Sequence, residues 1–141
     1  CARAGGGVFA DSPGFGAAGG MAMPFGLLCA AVCAPGASAV MEAVDFARRL
    51  HAADLVVTGE GRLDATSFTG KLVGEIHAAC RKAGRELWVF PGQAADMVFP
   101  PGMRVFPASP GALPPDAESA ARDLFAALTR AIENFCKIQL S

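Results

Sequence analysis

The sequence predicts an α/β domain: a parallel-sheet βαβ (Rossmann-like) unit with flanking helices. Three observations carry this. A short apolar run, Leu55 to Val57, is followed by a polar stretch, an amphipathic segment, Gly84 and a second apolar run, Leu87 to Phe90. That order of strand, loop, helix, glycine and strand implies parallel strands joined by a right-handed crossover. The chain then closes on a long amphipathic segment, and 52% of its 141 residues are hydrophobic, enough for one core. Residues 1–141 are therefore expected to form a single domain.

Taken in order, residues 1–20 are glycine-rich and read as loop, with Val8-Phe9-Ala10 at most a short strand. Ala17 to Val32 is an apolar helix candidate, entered through glycines and open to a bend at Pro24. Pro35-Gly36 is a turn. Ser38 to Leu50 then alternates Val40, Met41, Val44 and Leu50 with Glu42, Asp45, Arg48 and Arg49, the pattern of an amphipathic helix. Asp54 to Val57 is the first strand. Lys71 to Ala83 is the crossover helix, with Leu72, Ile76 and Ala79 on one face, and Gly84 stops it. Leu87 to Phe90 is the second strand, ended by Pro91-Gly92, and Met103 to Phe106 a short third one. Asp116 to Phe135 is the closing helix, with Leu124, Leu128, Ala131 and Phe135 as its core stripe.

Composition excludes several function classes. The formal net charge is -1, and the basic pairs Arg48-Arg49 and Arg81-Lys82 stand isolated on helices, so no nucleic-acid surface is expected. Ser12 to Met41 carries no charge, but Pro13, Pro24 and Pro35 interrupt it and its apolar content is mostly alanine, so no membrane span is expected. The first ten residues lack the apolar core of a signal peptide. Five cysteines occur without any C-x-x-C spacing, which supports neither a disulfide framework nor a zinc site. Cys29 and Cys33, one helical turn apart in an apolar run, read as buried free thiols, and a cytoplasmic location follows. His51 and His77 read as surface or packing histidines, and Trp88 as core.

Two segments concentrate chemistry. Gly14-Phe15-Gly16-Ala17-Ala18-Gly19 matches G-x-G-x-x-G at a helix start, where bare amides can cradle an anion. A helix-packing loop, a phosphate or carboxylate site and a dinucleotide site are all open to it, since Glu42 does not follow a second strand as a dinucleotide fingerprint requires. The second segment, Thr58 to Lys71, follows a strand expected to end at a sheet edge where ligands bind. Gly59 and Gly61 let the backbone approach a ligand beside the Glu60 carboxylate. Arg62 can grip a carboxylate or phosphate with two prongs. Asp64 can take a hydroxyl proton or hold a metal bound to phosphates. Lys71 adds a point charge at a helix N-terminus. The plain alternative is a solvated turn with Glu60 paired to Arg62 and Asp64 as a cap.

These segments resemble the type I glycerate kinase family, whose members transfer the γ-phosphoryl of ATP to D-glycerate. Pro13-Gly14-Phe15-Gly16-Ala17-Ala18-Gly19-Gly20 is similar to the family's P-G-A-G-A-A-G-G. Ala53 to Asp64, A-D-L-V-V-T-G-E-G-R-L-D, with Gly70-Lys71 after it, is similar to A-D-L-V-I-T-G-E-G-R-x-D…G-K. The likeness runs from about Val8 to about Phe135 and corresponds to the C-terminal portion of such a kinase. Relative to the family's two-domain fold the chain is incomplete: the D-S-F-K-G segment and a second α/β domain are not in it. Thr66-Ser67 stands where the family usually has Gln-Thr, and Pro91-Gly92-Gln93 where it usually has Ala-Gly-Ser.

The resemblance implies ATP and Mg2+ and small-molecule substrates, with homodimer formation left open. It implies Asp64 as base or metal-organising carboxylate and Lys71 as phosphate clamp. It assigns substrate or phosphate contacts to Gly14, Gly16, Gly19, Gly20, Thr58, Gly59, Glu60, Gly61 and Arg62, and a metal to Glu60 and Asp64. The implied activity is that of a longer kinase, with this chain one wall of its site. The alternative is a non-catalytic remnant that binds an anion or a subunit.

Overall fold

The computed structural model describes residues 16–29, 31–32, 34–109 and 116–139. Gly14 and the Val8-Phe9-Ala10 strand expectation lie outside the described residues. Contacts divide the chain into two compact units, Cys1–Ala39 and Val40–Ser141.

In the first unit, a 3-10 helix, Ala17–Gly20, leads into α1, Ala22–Cys29. The single helix expected over Ala17 to Val32 is thus split. Gly19 and Gly20, at the end of the 3-10 turn, explain the split, because their φ values of 67° and 85° lie in the left-handed region, which interrupts a continuous α-helix. Pro24 falls in the first turn of α1, where its missing N–H has no partner to lose. Cys29 is exposed, against the expectation of a buried thiol, because a weakly amphipathic eight-residue helix has no single face to bury. Cys33 lies outside the described residues.

The expected helix over Ser38 to Leu50 is likewise two, α2 (Gly36–Ala43) and α3 (Phe46–Ala52). Asp45 breaks it, with φ 51° and ψ 48° in the left-handed well. An aspartate visits that well more readily than most residues, and Arg48 holds the Asp45 carboxylate by an ion pair.

The second unit is built on β1 (Leu55–Leu63), α4 (Leu72–Ala83), β2 (Glu86–Ala94), β3 (Met103–Val105) and α5 (Ala117–Gln139). The strands form one parallel sheet in the order β1-β2-β3, so the predicted α/β class and the parallel βαβ unit are observed. β2 is central, and its Leu87-Trp88-Val89-Phe90 run is buried on both faces, as parallel strands require. Alternation sends Leu87 and Val89 to one side, against Val73, Ile76 and Cys80 of α4. Trp88 and Phe90 go to the other side, against Ala127 and Ala131 of α5. Trp88 also meets Phe106 and Phe135 at ring-centroid distances of 5.1 and 5.4 Å.

Both long strands outrun their expected ends. β1 continues from Val57 to Leu63, and β2 from Phe90 to Ala94, with Leu55 opposite Glu86 and Leu63 opposite Ala94. Two glycine positions allow the extension: a Cβ on Gly92 would lie 2.7 Å from the Gly61 carbonyl oxygen, and one on Gly59 would lie 3.1 Å from that of Phe90. Pro91, buried in this stretch, lacks an N–H, yet its carbonyl accepts from the Ala108 N–H at 2.9 Å. The Phe106 and Ser109 amides donate to Val89 and Gly92 in the same way. The chain beyond β3 therefore keeps alongside β2 as far as Ser109, and three strand ends finish side by side.

His77 is buried and its Nε2–H donates to the Pro101 carbonyl at 3.0 Å, a packing role. His51 is exposed. Among the described residues no helix is long and apolar enough to cross a membrane.

Candidate functional site

The carboxyl end of β1 hands the chain directly to a turn that gathers most of the charge. Asp64, in extended conformation, caps a 3-10 helix, Ala65–Phe68. Its Oδ1 accepts from the Thr66 N–H at 2.9 Å and from the Thr66 hydroxyl at 2.7 Å. The Asp64 N–H donates to the buried Ser67 hydroxyl at 3.2 Å, which completes a capping box. Gly74 of α4 packs so tightly on this turn that a Cβ there would meet Phe68 Cα and the Ser67 carbonyl oxygen at 2.9 Å. The turn is thus seated on the helix that follows it.

Lys71 is the N-cap of α4, set there by Gly70 with φ 79°. No side chain caps the helix, so its first amides stay available to an anion. The Lys71 Nζ donates to Thr66 Oγ1 at 2.8 Å. Arg62 lies across Asp64 with Nε 3.7 Å from Oδ2, and its side chain is 69% exposed. That separation is longer than a hydrogen bond, so the pairing is loose and the guanidinium keeps its fork for a ligand.

These neighbours set the Asp64 acidity. The Thr66 hydroxyl, then the Thr66 amide, hold its carboxyl below the usual 3.8, with partial burial opposing and Lys71 and Arg62 assisting. Hydrogen bonds to the ionised form favour that form.

Arg62, Asp64 and Lys71 are therefore brought together, with Thr66 between the last two. Thr58, Gly59, Glu60 and Gly61 sit on β1 itself, where a loop was expected. The glycine-to-glycine approach across β1 and β2 accounts for that difference. Glu60 stands four residues before Asp64, about 13 Å along an extended strand, so the two carboxylates are not adjacent. Nor is Glu60 paired with Arg62, whose ion-pair partner among the described residues is Asp64. One Glu60 oxygen, Oε2, is buried without a hydrogen-bond partner. Among the described residues no group of three His, Cys, Asp or Glu could hold a metal. Magnesium commonly uses one or two carboxylates with phosphate oxygens and water, and Asp64 fits that mode. Gly16, Gly19 and Gly20 belong to the first unit, and Gly14 is outside the described residues.

Beside the cluster, a cavity of about 680 Å³ opens over the strand ends, lined by Arg62, Gln93, Asp96, Phe99 and Ser109 among others. The buried Ser109 hydroxyl donates to Asp123 of α5 at 2.7 Å, which fixes that wall. A second hollow of about 530 Å³, lined by Met41, Phe46, Leu50 and Ala79 among others, shares no residue with it. The strand-end cavity is the better candidate, because it lies where open α/β sheets bind ligands. Thr66, Ser67 and Ser109 carry no motif of their own. Only the Asp64-x-x-Ser67 spacing could have signalled a capping box.

A parallel sheet between helices, with Arg62, Asp64 and Lys71 at its carboxyl edge, defines an α/β domain suited to handling anionic small molecules. The chain belongs to the glycerate kinase family, whose profile matches residues 2–139. It is 45% identical over 95 residues to an uncharacterized Mycobacterium bovis protein, covering 67% of this chain and 24% of that one. It is 44% identical over 66 residues to the glycerate kinase of Bacillus subtilis, covering 47% of this chain and 17% of that one. A Salmonella typhimurium LT2 crystal structure named for glycerate kinase 2 superposes with TM-score 0.57 at 24% identity, over 91% of this chain and 33% of that one. That likeness concerns the fold. The chain thus spans about a quarter or less of the length of these curated relatives.

Proposed function

We propose that this chain is the C-terminal part of a longer kinase that phosphorylates D-glycerate with ATP and Mg2+, and that it forms one wall of the active site. The observation that carries the reading is the Arg62, Asp64, Lys71 cluster at the strand ends, inside the segment that matches the family. Phosphoryl transfer is mostly positioning and charge neutralisation. Lys71 and the uncapped amides of α4 would receive phosphate, and Arg62 a phosphate or the glycerate carboxylate. Asp64, ionised at neutral pH, would take the acceptor hydroxyl proton or organise the metal. Glu60, with its unpartnered oxygen, is the second carboxylate of this wall, and Thr58, Gly59 and Gly61 give a ligand access to the backbone beside it. Gly14, Gly16, Gly19 and Gly20 would offer amides to a second anionic group. The free thiols of Cys29, Cys80 and Cys136 suit the cytoplasm, and a homodimer is compatible with this reading.

The test is glycerate phosphorylation by the full-length protein with Mg-ATP, beside Asp64→Asn. Asparagine also caps well, so the turn should survive while the rate falls by about 10²- to 10⁴-fold if Asp64 is the base. Undiminished activity removes Asp64 from the chemistry. One observation favours the non-catalytic alternative: Asp64 is already engaged by its own turn. On that reading, which leaves the chain an anion- or subunit-binding role, the full-length protein transfers no phosphoryl group from Mg-ATP to glycerate even at concentrations where calorimetry detects either anion bound.

A further inference from the structure

Thr66 is hydrogen-bonded to both residues that the kinase reading places in the chemistry. Its Oγ1 lies 2.7 Å from Asp64 Oδ1 and 2.8 Å from Lys71 Nζ. An ammonium only donates and a carboxylate only accepts, so the hydroxyl must accept from Lys71 and give its single proton to Asp64. The direction of both bonds is thereby fixed. The residue itself is well held, since its carbonyl accepts from the Thr69 amide at 3.2 Å and the Thr69 hydroxyl at 2.8 Å. The turn does not depend on the hydroxyl: Asp64 already caps it through the Thr66 N–H, and Ser67 closes the capping box. The Thr66 side chain is therefore spare for the turn and committed to the two charged groups.

We propose that Thr66 is a positioning residue, whose hydroxyl couples the Asp64 carboxylate to the Lys71 ammonium and sets the spacing between proton acceptor and phosphate clamp. The role rests on the kinase reading above. Lysine ends a flexible four-carbon stem, and without an anchor its ammonium samples many positions. The charged groups facing Asp64 are Arg62 from β1 and Lys71 from the start of α4, and the hydroxyl ties one of them to it.

The experiment compares Thr66→Val and Thr66→Ser with the parent in the full-length protein. It measures steady-state phosphorylation of glycerate by Mg-ATP and, by NMR relaxation, the mobility of the Lys71 side-chain end. Valine keeps the shape and removes the hydroxyl. The expected result is a kcat about tenfold or more lower with KM for glycerate little changed, and a Lys71 ammonium that gains mobility once its anchor at Thr66 Oγ1 is gone. Serine should restore both. A valine variant whose Lys71 end is as ordered as the parent's overturns the coupling. One with a mobile Lys71 end but parental kcat overturns the positioning role, as does a serine variant as impaired as valine. A parent without glycerate kinase activity fails the kinase reading alone, and the Lys71 mobility then decides the coupling by itself.

Discussion

Replacing Gly74 by alanine sets two known effects against each other, and the structure decides the sign. Alanine is favoured over glycine in a helix by at most about 1 kcal/mol, less near an end. Against this, the new Cβ would stand 2.9 Å from both Phe68 Cα and the Ser67 carbonyl oxygen, and 3.3 Å from the Phe68 carbonyl carbon. Ordinary contact begins near 3.5 Å, so turn and helix must part by roughly 0.6 Å. These are backbone atoms and cannot rotate aside. Overpacking of this kind costs about 1–3 kcal/mol, so a net loss of about 1–2 kcal/mol is expected. Urea unfolding read from its midpoint, with the slope unchanged, measures it. The same displacement moves Ser67, whose hydroxyl accepts the Asp64 N–H, so the Asp64 and Thr66 amide resonances should shift too. A Gly74→Ala protein as stable as the parent, or more so, refutes the packing argument.

Two further outcomes test other parts of the molecule. Gly92→Ala puts a Cβ 2.7 Å from the Gly61 carbonyl oxygen, which should cost about 1–3 kcal/mol and speed hydrogen exchange at the Ala95 amide, bonded to Leu63 at the strand ends; unchanged exchange there would contradict it. The second concerns acid. Asp116 accepts from the Ser119 amide at the start of α5, and that bond, then the Ser119 hydroxyl, holds its carboxyl below 3.8. A lowered folded value gives stability that is present above 3.8 and disappears as pH falls through the folded value. Asp116→Asn should therefore be less stable than the parent near neutral pH, with the gap closing in acid. A gap independent of pH would count against it.

The core of the fold was legible because local pattern and tertiary environment agree there. Leu87 to Phe90 is apolar on both sides, as a central parallel strand must be, and Gly84, with φ 65°, ends α4 where a glycine stop was expected. What could not be read depends on pairs of distant residues. Gly-Glu-Gly-Arg and Pro-Gly-Gln are poor strand formers alone. They pair because Gly59 and Gly92, remote in sequence, each lack the Cβ that would press on a carbonyl of the facing strand. The break at Asp45 turns on one backbone angle that no periodicity reports. The site divides along the same line: Arg62, Asp64 and Lys71 were recognisable by residue type. The Thr66 bridge needed a turn geometry that brings a neighbour's hydroxyl between two charges.

The parallel pairing of β1 with β2 also bears on how the molecule reaches its native state. Parallel neighbours cannot be joined by a tight turn, so the ladder from Leu55–Glu86 to Leu63–Ala94 pairs residues 31 apart in sequence across the connection 64–85, at an entropic cost that must be met before any rung is gained. That connection is the stretch from Asp64 through Lys71 and α4, the segment that carries the charged cluster. Compaction of the turn onto α4, where Gly74 meets Ser67 and Phe68, shortens the loop to be closed. The residues proposed for the chemistry thus lie inside the segment that has to be ordered for the two strands to meet.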